Sequence, residues 1–305
     1  MIHARSLPRL AAATVLAATG LVALAPSSSD AAACPAWKKT TVAKGYSTLE
    51  NLAFDGQGGL LLSETSIVGP QGGIRRLSAT GIRSTVVAGV ASPGGLVLDG
   101  RTLYFTSGNG LVSGAFNKPD GAINRVDLDS GAVSSVATGL VMPNGMTRLP
   151  GGDFVVSRDL GKGSMTRVTL AGTKTPFVPV ATSTNGMAVD AARGLFYVDS
   201  TFNAKTEISV VDLSNPTAAP RKIVIPGVGP LNAADDLTRG ADGNLYVALN
   251  LAGKVVRVNP DTGAQCTIAT GIPLVSSVRF GAGPGWDAAS LYATSFTGTV
   301  TRLTP

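Results

Sequence analysis

The sequence predicts an all-β, six-bladed β-propeller whose N-terminal strand closes the last blade. Three observations predict it. One pattern recurs six times, at intervals of 41 to 50 residues. Each copy offers a short apolar run, a Gly- or Asp-rich turn, a second run of β-branched and aromatic residues, and then further strand-like runs. No convincing helical period follows the first thirty-odd residues. Four strands per unit, repeated six times, is the arithmetic of a propeller.

Residues 1–33 stand apart from the repeats. Arg5 and Arg9 flank an apolar run over residues 10–25, which residues 26–30 break and Ala31, Ala32 and Ala33 follow. That is the composition of a secretory signal peptide. The run is shorter than the roughly 20 residues a membrane span needs, and no second hydrophobic span follows it. An uncleaved anchor and a lipid on Cys34 are the alternatives; Ala31 sits where a lipobox normally has Leu. A secreted location is expected, with residues 34–305 as a single domain.

The copies begin at Glu50, Gly94, Asn144, Asn185, Asp235 and Ser276. The fifth shows the unit most completely. Asp235-Asp236-Leu237 opens it, Leu245-Tyr246-Val247 follows, and residues 254–258 and 265–269 flank the turn Asn259-Pro260-Asp261-Thr262-Gly263. The sixth copy offers only three strands, at 277–280, 291–295 and 300–303, before the chain ends at Pro305. One unassigned strand, residues 40–44, precedes the first copy. Closing the ring removes open sheet edges, so that strand is expected to complete blade six.

Two cysteines remain, Cys34 and Cys266. In an oxidising compartment an even count reads as a disulfide. Cys34 would enter beside blade six and Cys266 lies in the outer strand of blade five, so a Cys34–Cys266 bond would tie down the closing strand.

The composition removes whole classes of chemistry. The chain has one histidine, His3, inside the leader. Ser-His-Asp catalysis, His-ligated zinc and a His general base are therefore excluded. Charged residues are 14% of the chain and the formal charge is +6, with Lys and Arg scattered. With no basic stripe interleaved with aromatics, nucleic acid is not an expected partner.

In a propeller the inner strands line a central channel, and their first residues gather at one mouth. Among the six opening positions, Glu50, Asn144, Asn185 and Asp235 carry oxygen donors suited to a cation. Two carboxylates balance a divalent charge and two amides add neutral oxygens. Hard oxygens without His or thiol fit Ca²⁺, with Mg²⁺ or another divalent ion as the alternative. Asp236 would bind directly or from behind. Against this stands the ordinary use of Asn-Gly and Asp as turn formers. Glu64, Arg158, Asp159, Asp199 and Asn250 all follow a blade's second strand and are weaker candidates.

Glu50, Asn144-Gly145, Asn185-Gly186 and Asp235-Asp236, one set per blade in blades one, three, four and five, resemble the six-bladed calcium-dependent hydrolases. These are the SMP-30, gluconolactonase and regucalcin proteins, the diisopropylfluorophosphatases and the paraoxonases. The likeness extends over nearly all of residues 36–305. It implies Glu50, Asn185 and Asp235 as calcium ligands, Asn144 as a ligand or substrate-side group, and Asp235 as base or nucleophile. The sequence departs from the pattern at Gly94, where paraoxonases carry a His, and at Met142, where sugar lactonases carry an Arg.

The resemblance implies a secreted calcium-dependent hydrolase of lactones or other carboxylic or phosphoric esters, acting on a small molecule as a monomer. The other reading is a non-catalytic binding or scaffold propeller with a structural calcium. A strictosidine-synthase-like condensing propeller is a third.

Overall fold

The computed structural model describes residues 34–65, 72–160, 165–178 and 183–305. The predicted leader, residues 1–33, lies outside them. Among the described residues, 24 strands assemble into six antiparallel sheets of four. Five sheets are consecutive in sequence. Their inner strands are Thr48–Phe54, Leu96–Asp99, Met146–Arg148, Thr184–Asp190 and Ala234–Arg239. The sixth joins Val275–Phe280, Leu291–Ser295 and Val300–Thr304 to Lys38–Ala43, the strand from the other end of the chain. Lys38 pairs with Thr304 and Ala43 with Val300. The closing strand predicted at residues 40–44 thus forms, beginning two residues earlier.

The second strand of each blade explains the apolar runs. Its residues alternate in direction, and both directions are buried. In Gly59–Thr65, Leu60 and Leu62 pack toward blade six while Leu61 packs toward blade two. In Leu245–Leu249, Leu245, Val247 and Leu249 face blade four, and Tyr246 and Ala248 face blade six. The core is accordingly six seams, one between each pair of neighbouring blades.

The disulfide forms as expected. Cys34 and Cys266 are bonded, 232 residues apart in sequence. Trp37 also donates its backbone N–H to the carbonyl of Ile268 at 2.8 Å, lacing the entering chain to blade five. Two short helices were not expected, α1 (Leu111–Ala115) and α2 (Gly229–Asn232). At one turn each they are too short to leave a periodic signal. No helix among the described residues is long and apolar enough to cross a membrane.

Candidate functional site

Four of the hub residues are aimed by a local fault in their sheets. Ladder pairing shifts between Leu49 and Leu52, between Thr184 and Met187, between Ala234 and Asp236, and between Val275 and Ser277. Glu50, Asn185, Asp235 and Ser276 lie inside those shifts. A bulge leaves its residue unpaired and redirects the side chain. The hub residues are therefore the second or third of their strands in blades one, four, five and six. Asn144 precedes its blade's inner strand by two residues.

The glycines after them are not turn residues. A Cβ on Gly145 would lie 2.6 Å from the Asn185 carbonyl oxygen, and one on Gly186 would lie 2.4 Å from the Asp236 Cα. Neighbouring inner strands approach so closely there that only glycine fits. The Asn-Gly pairs thus mark the channel wall, with the first residue facing the mouth and the second facing the next blade.

Three donating amides tie the hub residues at that mouth into two sets, Glu50 with Asn144 and Asn185 with Asp235. Asn109 Nδ2 donates to Glu50 Oε1 at 3.2 Å and to Asn144 Oδ1 at 3.0 Å. Asn185 Nδ2 donates to Asp235 Oδ1 at 2.9 Å, and Asn250 Nδ2 donates to Asp235 Oδ2 at 2.8 Å. Thr201 accepts from Asn185 Nδ2 at 3.2 Å and donates to the Ala234 carbonyl at 2.8 Å. Asn144, Asn185, Asp235 and Asn250 are all buried, and Glu50 is half-buried.

Asp236 takes a different place. Ser277 Oγ and Arg279 Nη1 both donate to its Oδ2, the latter at 2.5 Å. Its carboxylate is held against blade six, and it acts on the mouth through its charge. Among the weaker candidates, Asp159 and Asn250 join the cluster. Asp199 accepts from the Gly186 N–H at 2.8 Å behind Asn185. Glu64 pairs with Arg75, and Arg158 donates to Asn117 and to the Leu160 carbonyl.

The electrostatics are those of crowded carboxylates. Burial, and then the Asp159 charge, push Glu50 up to about 8 against the pull of the Asn109 hydrogen bond. Burial raises Asp159 to about 6, with a hydrogen bond from Asn144 among the groups that oppose it. Asp235 is driven well above the usual carboxylate range by burial and then by Glu50. No Lys or Arg is ion-paired to Glu50, Asp159 or Asp235 among the described residues. Asn109 Oδ1 and Asp159 Oδ1 are buried without partners.

Orphaned buried oxygens beside repelling carboxylates fit a hard cation. No three His, Cys, Asp or Glu side chains among the described residues are grouped so as to hold a metal ion by themselves. An ion here would have to draw on amide oxygens as well as on carboxylates. That is the mixed donor set of Glu50, Asp235, Asn144 and Asn185.

Asn109 and Thr201 had escaped the sequence reading. Both follow a blade's second strand, as Asp159 and Asn250 do. The signal was a second ring of polar residues at the ends of Thr102–Ser107, Phe154–Val156, Leu195–Ser200 and Leu245–Leu249. It is obscured because the offset from the strand end varies from one to three residues.

Comparison with known proteins agrees with this architecture. Residues 151–297 match the family model described as the SMP-30/gluconolactonase/LRE-like region. The match covers blades three to six in large part, and with them Asn185, Asp235 and Asp236. None of the curated proteins matches the sequence.

Among solved structures, a structural-genomics target with a provisional gluconolactonase assignment superposes with TM-score 0.67 at 18% identity, over 88% of this chain and 92% of that one. A gluconolactonase from Xanthomonas campestris gives 0.64 at 16%, over 88% and 89%. An auxiliary nutrient-binding protein from Bacteroides thetaiotaomicron gives 0.63 at 12%, over 85% and 69%. At these identities the likeness is one of fold.

Proposed function

We propose that this SMP-30/gluconolactonase-like propeller is an exported, calcium-dependent hydrolase of lactones or other esters. The observation that carries the reading is the charge coupling of Glu50, Asp159 and Asp235 at one channel mouth, where Asn109 joins Glu50 to Asn144, Asn185 and Asn250 hold Asp235, and no Lys or Arg among the described residues is ion-paired to the three. Glu50, Asn144, Asn185 and Asp235 would hold the ion, and Ca²⁺ would act there as a Lewis acid on the ester oxygen.

Asp235 is the candidate base or nucleophile. Asn185 and Asn250 each donate to one of its oxygens, which fixes the plane of the carboxylate and leaves a lone pair on each oxygen. When ionised in so desolvated a place, a carboxylate is a stronger base than in water. It can take a proton from a water or attack an acyl carbon itself. Asn144, held by Asn109 on one side, orients the group that sits above it.

The test is metal content after purification, paired with turnover of lactone and aryl-ester panels with and without chelator. Bound calcium with chelator-sensitive hydrolysis is the expected result. Calcium that stabilises the fold without turnover would favour the binding-module reading, in which the same hub oxygens hold a structural ion.

A further inference from the structure

The mouth that gathers the polar hub is rimmed by exposed apolar side chains. Of thirteen large hydrophobic side chains exposed among the described residues, eight lie in the loops and short helices at this end of the channel. Six define the rim: Leu111, Phe116, Phe202, Leu231, Leu251 and Leu274. Phe116 is 73% exposed, Leu111 68% and Leu231 66%.

Each is tied to the hub through its own backbone. Phe202 follows Thr201, which accepts from Asn185, and Leu251 follows Asn250, which donates to Asp235. Leu111 comes two residues after Asn109, the residue that bridges Glu50 and Asn144. Leu274 comes two before Ser276. Leu231 lies in α2, whose Gly229 N–H bonds to the Ala204 carbonyl beside Phe202.

α1 is pinned to the same place. Ser113 Oγ accepts from the Met142 N–H at 3.0 Å. A Cβ on Gly114 would lie 2.2 Å from the Met142 sulfur and 2.9 Å from the Leu160 Cβ. The helix that carries Leu111, and Phe116 just after it, is thereby held against Met142 and Leu160, close in sequence to Asn144 and Asp159.

A polar centre within an apolar rim has a chemical counterpart. Exposed apolar side chains gathered at one end of a channel point to a binding site, and these surround a hydrogen-bonding, acidic floor. The rim segments 226–233, 250–253 and 271–274 contain no Asp, Glu, Lys or Arg. These three segments offer no charged group to pair the carboxylate of a sugar acid or the phosphates of an anionic membrane. We infer that the hub takes esters or lactones with an extended apolar body, the ester group on the polar floor and the hydrocarbon against Leu111, Phe116, Phe202, Leu231, Leu251 and Leu274. The inference rests on the hydrolase reading for the ester group, and on the rim alone for the hydrocarbon.

The two parts separate experimentally. Hydrolysis is measured for unbranched γ- and δ-lactones of increasing side-chain length and for gluconolactone, and binding is measured by calorimetry for the matching lactams, which resist hydrolysis. If the rim holds the chain, kcat/KM and lactam affinity both rise roughly two- to fourfold per added methylene until the rim is spanned. Phe116→Ser and Leu251→Ser flatten that slope. Ile82→Ser, in an exposed turn outside the mouth region, leaves it unchanged.

Lactam affinity that climbs with chain length in the absence of any turnover would sustain the apolar-body inference and remove the hydrolase reading. Hydrolysis with a flat chain-length profile, or a preference for gluconolactone, would overturn the inference and leave the hydrolase standing. Sedimentation with phosphatidylcholine vesicles, or a dimer by light scattering that Leu251→Ser abolishes, together with a flat lactam series, would overturn it in favour of a lipid surface or a second copy.

Discussion

Asn185 and Asp235 stand 50 residues apart in sequence, on adjacent inner strands, and the amide of one meets the carboxylate of the other at 2.9 Å. Both residues lie in bulges, and Asp235 receives a second amide from Asn250 on its other oxygen. The carboxylate is thus held in one plane by two neutral donors. Asp235→Asn keeps the shape and removes the charge. It is expected to abolish the calcium-dependent rise in melting temperature and to lower hydrolysis by roughly 10²- to 10⁴-fold, the range of a lost acid–base group. Calorimetry and initial rates on the same preparation check both.

Asn144 separates ligation from catalysis. Its amide is held by Asn109, and it reaches Asp159 rather than Asp235. Asn144→Ala is expected to lower kcat/KM more than it lowers calcium affinity, measured by calorimetric titration. Equal losses in both would make it a ligand first.

Calcium and pH are coupled at the mouth. Glu50 is raised to about 8 and Asp159 to about 6. A carboxyl raised in the folded state binds its proton more tightly there than in the unfolded chain, so stability falls as pH rises from the unfolded value toward the folded one. In chelated protein the melting temperature is expected to decline between about pH 4.5 and 8. Calcium favours the ionised form, so its stabilisation should grow across that window. At a hundredfold excess over Kd the gain is about 2.7 kcal/mol. Thermal melts at pH 5 and pH 8, with calcium or chelator, test this. A calcium gain that is equal at both pH values would show that these groups do not face the ion.

The glycines of the hub answer for the wall. A methyl on Gly186 would fall 2.4 Å from the Asp236 Cα, against backbone that cannot swing away. Gly194, in a turn with φ +64°, has open space around its Cβ position. Gly186→Ala is expected to cost about 3 kcal/mol or more through overpacking, and Gly194→Ala about 1 kcal/mol through its backbone. Denaturant midpoints distinguish the two. Similar costs at both positions would mean that the Asn-Gly pairs are only turns.

The ring and its closure were legible because every blade repeats one demand. Its second strand must be apolar on both faces, as Leu60-Leu61-Leu62 is. The opening residue of each repeat was legible for the same reason, since register carries over from blade to blade. What lay hidden depended on neighbours distant in sequence. The pairing of Asp236 with Arg279 spans 43 residues and two blades, and no local signal distinguishes a free Asp from one paired with a guanidinium. Asn109 was hidden by the variable offset at the strand ends, and the rim by the ordinariness of single exposed leucines.

The closing strand and its disulfide carry the last prediction. Lys38–Ala43 supplies the outer edge of blade six, and Cys34 joins that strand to Cys266 in blade five. Without residues 34–45 the strand Val300–Thr304 presents unpaired backbone groups along an edge. That truncation is expected to aggregate at concentrations where the 34–305 chain stays soluble. Cys34→Ser leaves the ladder intact and removes the covalent tie. It should cost about 2–5 kcal/mol, roughly 5–15 °C in melting temperature for a domain of this size. Light scattering during a thermal ramp of the 34–305 chain, the truncation and Cys34→Ser separates the two contributions. A truncation as soluble and heat-stable as the 34–305 chain would show that blade six is stable with three strands, and a Cys34→Ser variant that melts with it would show that the ladder alone holds the seam.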